Sequence, residues 1–154
     1  MTEAVIRDLL SYRLHRVANL LSRGAELRYR REFGVSLWEW RTLALLGAEP
    51  GAQSLSRLAH DAGIHKSQMS RVVSGLAARK LVLRSADASD GRGVRIALSA
   101  SGRKLYRGLI GAAVERDSAF RRCLSRKERE QLEAILGKLS VQARGLIQHE
   151  RTTR

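Results

Sequence analysis

The residues of this sequence with the most pointed chemistry lie between positions 66 and 74. Gln68 carries a donor and an acceptor spaced for the edge of adenine, and Arg71 a fork spaced for guanine. Ser67 and Ser70 add hydroxyls that bond either bases or phosphate, while Lys66 and Ser74 flank the set and suit phosphate oxygens. Met69, Val72, Val73 and Leu76 interleave at helical spacing. One helix from Lys66 to about Arg79 therefore carries an apolar stripe with the polar set opposite. Such a stripe alone describes a solvated helix face equally well, so its surroundings decide. A second group follows in the polar, glycine-rich run from Asp87 to Gly93. Arg92 has the charge and shape to enter a narrow minor groove, where negative potential is enhanced. Asp90 can buttress that guanidinium, and Asp90-Gly91 also reads as a plain hairpin turn. Arg95 is placed to reach phosphate from the strand that leaves the loop.

Particular elements must hold these groups in place. Ser54 is expected to cap a short helix whose Leu55, Leu58 and Ala59 point inward. Gly63 then supplies a tight turn that Ile64 pins. Val82 to Ala86 and Val94 to Leu98 read as strands, the second alternating Val94, Ile96 and Leu98 against Arg95 and Ala97. The run between them is too polar and glycine-rich for either regular state and is a loop. A helix, a turn, a second helix and a two-stranded wing form a device for holding double-stranded DNA.

The flanking chain is helical. Residues 3 to 32 are expected as one long helix capped by Thr2, with Leu10, Leu14, Val17, Leu21 and Ala25 at spacings of three and four. The chain turns at Gly34. Ser36 and Glu39 then make a capping box for a second helix with Leu37, Trp40, Leu43, Ala44 and Gly47 on one face, ending before Pro50-Gly51. Downstream, Ser99 opens a fifth helix from about Ala100 to Arg122. Ser125 and Glu128 make another capping box, and Leu132, Ile135, Leu136, Leu139 and Leu146 run along the last helix as a continuous apolar seam. The tail from His149 is expected to fray. The fold class is mainly α with a small β-wing, in three parts. Residues 1–35 are an N-terminal dimerisation helix, 36–99 a DNA-binding domain and 100–154 C-terminal dimerisation helices.

Bulk composition agrees. Twenty-nine Lys and Arg against 15 Asp and Glu give a net charge of +14 over 154 residues, which favours a polyanionic partner. An anionic membrane surface would call for a basic amphipathic helix with a free apolar face, yet the cations here are spread along the whole chain. No apolar run approaches the roughly 20 residues of a membrane span. The first residues lack the basic start and apolar core of a signal peptide. A single cysteine, Cys123, excludes an internal disulfide and fits a reducing cytoplasm, so a cytoplasmic, nucleoid-associated location is expected.

The apolar seams of the first and last helices are longer than a winged domain of about 60–70 residues can cover. A second copy of the same helices is the simplest cover. A symmetric dimer would set two recognition helices about one DNA turn apart, roughly 34 Å, over a palindromic operator.

In order and content the chain resembles the MarR family of winged helix-turn-helix transcription regulators, over nearly its whole length. The wing, from Asp87 through Asp90 and Arg92 to Leu98, Ser99 and Gly102, is similar to the family signature D-x-x-D-x-R…LT-x-x-G, with Ser99 where Thr is usual. LSRLAHDAGIHKSQMSRVVSGLAARKLV resembles the family's helix-turn-helix, and WEWRTLALL its second helix. Two positions depart from the pattern. Lys80 stands where a glycine usually ends the recognition helix, at a cost on the order of 1 kcal/mol. His65 replaces the usual small N-cap.

The resemblance implies a homodimeric repressor released by a small anionic aromatic ligand bound between dimerisation helices and winged domain. The candidates for that site are His15, Arg16 and Asn19 on the first helix and Trp38, Trp40 and Arg41 on the second. An Arg beside an indole suits an aromatic carboxylate. The competing reading puts Trp40 in the core and Arg41 on the surface. A constitutive, architectural DNA-binding protein is the alternative function, and a redox sensor through Cys123 a further one. Cys123 otherwise reads as a buried small hydrophobe or an idle thiol. His15, His60, His65 and His149 have no paired ligand spacing, so no metal and no cofactor are expected. No phosphate-binding loop, nucleophile elbow or carboxylate pair argues for an enzyme.

Overall fold

The computed structural model describes residues 5–86 and 93–153. After a single 3-10 turn, Ile6–Asp8, come helices α1 (Leu10–Phe33) and α2 (Leu37–Ala48). A two-residue strand β1 (Gln53–Ser54) leads into α3 (Leu55–Ala62) and α4 (Lys66–Ala78). Strands β2 (Val82–Ala86) and β3 (Val94–Leu98) precede α5 (Ala100–Arg121) and α6 (Arg126–Thr152). The chain divides into two compact units, Met1–Ala113 and Val114–Arg154.

Local signals explain most of these boundaries. Ser36 Oγ accepts from Glu39 N at 3.2 Å, and the Glu39 carboxylate accepts from Ser36 N at 2.8 Å, closing the box that starts α2. Ser54 Oγ likewise accepts from Arg57 N and starts α3. Gly63, at φ 67°, ends α3, and Ile64 N donates back to Ala59 O at 3.0 Å. A side chain at Gly63 would be strained there, which is why this turn needs glycine. Ser99 Oγ accepts from Gly102 N at 3.0 Å and serves the start of α5.

The first unit holds the core. Leu43 of α2, Leu58 of α3, Met69 and Leu76 of α4, Ile96 of β3 and Leu109 of α5 are fully buried in one cluster, which Tyr29 of α1 also joins. β3 is the middle strand of an antiparallel sheet in the order β1-β3-β2, with Gln53 opposite Ile96 and Val82 opposite Leu98. Gln53 is buried and gives its amide to Leu45 O at 2.9 Å, which fixes β1 to the end of α2. Among the described residues, no buried side-chain nitrogen or oxygen lacks a partner.

In the second unit, the last turns of α5 face the first turns of α6, where Arg121 contacts Asp117 at 2.5 Å and Glu133 at 3.6 Å. A capping box of Ser125 and Glu128 opens α6, and no α6 residue is buried.

Several expectations are corrected. The first helix is not continuous from residue 3: Leu9 is extended, and α1 begins at Leu10 with no side-chain cap. Thr2 lies outside the described residues. β1 was not expected, because two residues form a strand only through their partner β3. The tail does not fray at His149, since α6 continues to Thr152, whose hydroxyl donates to His149 O at 2.9 Å. Cys123 is exposed rather than buried, with its thiol directed at Phe120 O at 2.9 Å. Among the described residues no helix is long and apolar enough to cross a membrane, and no His, Cys, Asp and Glu group could hold a metal.

Candidate nucleic-acid interface

α4 is pinned to the core by Met69, Val73 and Leu76, all nearly or fully buried, so its opposite face must point outward. Ser67, Arg71 and Ser74 fall at i, i+4 and i+7 on that face and are exposed, with Lys66 beside them. Gln68 and Ser70 flank the ridge and are half-buried. Among the described residues, no side-chain hydrogen bond or ion pair engages any of these six, so their donors and acceptors remain available. His65 precedes α4 in extended conformation and supplies no side-chain cap, leaving the first-turn N–H groups open to an anion.

The wing is placed by β2 and β3, whose register runs from Val82 opposite Leu98 to Ala86 opposite Val94. Asp90 and Arg92 lie outside the described residues. Arg95 is engaged within the fold: it is half-buried, and its Nη2 donates to Ala52 O at 2.6 Å, tying β3 to the segment before β1. One N–H of its guanidinium thus serves the sheet. Arg84 of β2 is an exposed cation that the sequence pattern did not single out. Its strand register could have found it, since β2 leads directly into the wing.

The ligand candidates separate into groups. Trp40 packs on Tyr29, ring centroids 5.2 Å apart, and belongs with the core. The Arg41 guanidinium lies 4.9 Å from the Trp38 ring centroid, and its Nη2 donates to Ser22 Oγ of α1 at 3.2 Å. Asn19 Nδ2 and His15 Nε2 are 2.8 Å apart on exposed turns of the same helix. Positions 15, 19 and 22 share one face of α1, so a polar track runs from His15 to the Arg41–Trp38 pair. Arg16 is exposed beside it. Arg41 also lines an open cleft of about 320 Å³ with Ala44, Leu45, Asp61 and Ala62. Across it, hydrogen bonding from His60, with Arg57 adding its charge, holds the Asp61 carboxyl below its ordinary value of 3.8. Ser22 and Asp61 were missed because only the fold brings them to Arg41.

The comparisons with known proteins agree with this geometry. Residues 33–93 match the family model described as MarR family. A MarR/EmrR family transcriptional regulator from Acinetobacter sp. ADP1 is 25% identical, with a TM-score of 0.82 over 92% of this chain and 99% of that one. The S. aureus MepR–DNA complex gives 24% identity and a TM-score of 0.80 over 87% and 98% of the two chains. PcaV from Streptomyces coelicolor, in complex with its natural ligand, gives 20% and 0.72 over 93% and 99%. No curated protein sequence matches. α4, the strands β2 and β3 and these matches agree: residues 33–93 are similar to the MarR family of transcription regulators, and the chain has the winged helix-turn-helix fold of the solved MarR-type regulators.

Proposed function

We propose that the protein is a homodimeric, sequence-specific repressor that binds a palindromic operator and is released by a small anionic aromatic ligand. The observation that carries the DNA reading is the outward ridge of α4, where Ser67, Arg71 and Ser74 stand exposed with their polar groups unengaged among the described residues. Arg71 and Gln68 read bases, while Lys66, Ser67, Ser70 and Ser74 supply further base or phosphate contacts. Arg92 is assigned to the adjacent minor groove on its charge and shape, and Asp90 to supporting it. The net charge of +14 supplies the sequence-independent part of the affinity. A similar fold occurs in MepR, which has been seen bound to DNA.

Dimerisation is supported by apolar side chains left in water. Leu14, Val17, Leu20 and Leu21 of α1, and Ile135, Leu136, Leu146 and Ile147 of α6, are each at least 40% exposed. A soluble monomer rarely carries seams of this length. The ligand reading is supported by the Arg41–Trp38 pair, which offers a cation and a π-face together. PcaV, of similar fold, was solved with its natural ligand. Release is a population shift: a ligand that prefers a dimer with mismatched half-site spacing by about 1–3 kcal/mol weakens operator binding 5–150-fold.

The test is a DNA selection on the purified protein, repeated with a panel of aromatic acids. A two-fold symmetric consensus, lost on adding one of the acids, is the expected result. An asymmetric consensus contradicts the dimeric reader, and indifference to every acid contradicts the ligand.

A further inference from the structure

The C-terminal end of α4 is built as a joint. Lys80 N donates to Ala77 O and Leu81 N to Leu76 O, both at 2.9 Å, which closes the helix in a Schellman motif. Lys80 takes the left-handed conformation this needs, at φ 56°. Its carbonyl accepts from Ser99 Oγ at 2.7 Å and Ser101 Oγ at 2.9 Å, which fastens the joint to the start of α5. On the other side, Arg79 Nη1 donates to Glu39 Oε1 at 3.0 Å, forty positions away in the chain. The same carboxylate uses Oε2 to accept from Ser36 N in the α2 capping box, and the Glu39 side chain is only 18% exposed. Arg79 Nη2 also reaches the α1–α2 turn, 4.0 Å from where a Gly34 side chain would begin. One carboxylate thus holds the N-terminus of α2 and the end of α4.

We propose that Glu39 is a positioning residue for DNA reading: through Arg79 it fixes the end of α4 against the α1–α2 junction, so that the helix meets the groove at one angle. The inference rests on α4 being the DNA-reading helix. Glu39 itself touches no base or phosphate. Electrostatics alone gives the opposite sign, because removing a carboxylate from a DNA-binding face reduces repulsion and tightens binding.

Glu39→Gln separates the two, since glutamine still serves the capping box while the ion pair is lost. The probe is the duplex the wild-type protein selects, titrated at several salt concentrations. Binding should weaken about three- to fivefold, the gain expected of a partly exposed ion pair, with the salt slope unchanged. Amide exchange at Lys80 and Leu81 should quicken in the DNA-free protein, while the melting temperature stays close to wild type. Arg79→Gln should lose a similar factor, and the double variant no more than the worse single one. Equal or tighter binding by Glu39→Gln overturns the proposal. So does a fall of about one in the salt slope of Arg79→Gln, which would make Arg79 a phosphate contact. Wild-type protein that shows no duplex preference overturns the DNA reading itself; wild-type preference that Glu39→Gln shares in full overturns only this inference.

Discussion

Gly102→Ala should destabilise the protein, although alanine is the better helix former. Gly102 lies in the first turn of α5, buried against the chain leaving α4. A Cβ built there falls 1.9 Å from Leu81 O and 2.9 Å from Leu81 C. Both neighbours are backbone, so no side chain can swing away, and the two segments must part by about 1.5 Å to restore ordinary contact. That movement strains a packed region at about 1–3 kcal/mol. It also pulls Ser99 and Ser101 off Lys80 O, at about 1 kcal/mol for each hydrogen bond. Against this, alanine recovers about 0.5–1 kcal/mol of helix propensity. A net loss of about 2–4 kcal/mol follows. Urea unfolding followed by circular dichroism measures it, with an unchanged slope showing that only stability has moved. Gly75→Ala is the internal control: Gly75 sits in α4 with nothing within 4 Å of the added Cβ, so that variant should gain about 0.5–1 kcal/mol. If Gly102→Ala is as stable as wild type, the packing of α5 on Leu81 described above is wrong.

Acid should lower the stability of the protein within the carboxylate range. Hydrogen bonds from Arg28 and then Arg31 hold Glu32 below its ordinary value of 4.5, and Ser125 does the same for Glu128. Asp61 is lowered from 3.8, chiefly by His60. Depressed folded-state values contribute stability that is present above the ordinary values and lost as the pH falls through them. The melting temperature should therefore hold from about pH 7 to 5.5 and drop below about pH 4.5; a flat profile down to about pH 3 would contradict these pairings. Leu136→Glu places a charge in the exposed seam of α6 and should raise the dimer dissociation constant at least about tenfold by sedimentation, with an unchanged constant refuting the seam as interface.

Most of the fold was readable because its signals are local. The capping boxes at Ser36–Glu39 and Ser125–Glu128, the turn at Gly63 and both wing strands depend on residues within a few positions of one another. What escaped depends on contacts across the chain. β1 exists only because β3 lies beside it, whereas Trp40 in the core was the competing reading of its helix face, and Tyr29 from α1 meets it there. The same holds for the site. The outward ridge of α4 followed from helical spacing, whereas the bond from Arg95 to Ala52 O joins positions 43 apart in the chain and carries no local signal. The Glu39–Arg79 pair joins residues whose spacing carries no pattern, so only the folded chain brings it to light.

The central claim is that α4 reads DNA sequence, and the specificity ratio of wild-type protein and Arg71→Ala tests it most directly. Affinity for the selected duplex should exceed that for random duplex at physiological salt by about 10³-fold or more in the wild type. Arg71→Ala should lose about 1–3 kcal/mol on the selected duplex and relax the preference at one position in each half-site. A wild-type ratio near one, or an Arg71→Ala variant that weakens all duplexes equally, would contradict the reading of Arg71 and of the helix that carries it.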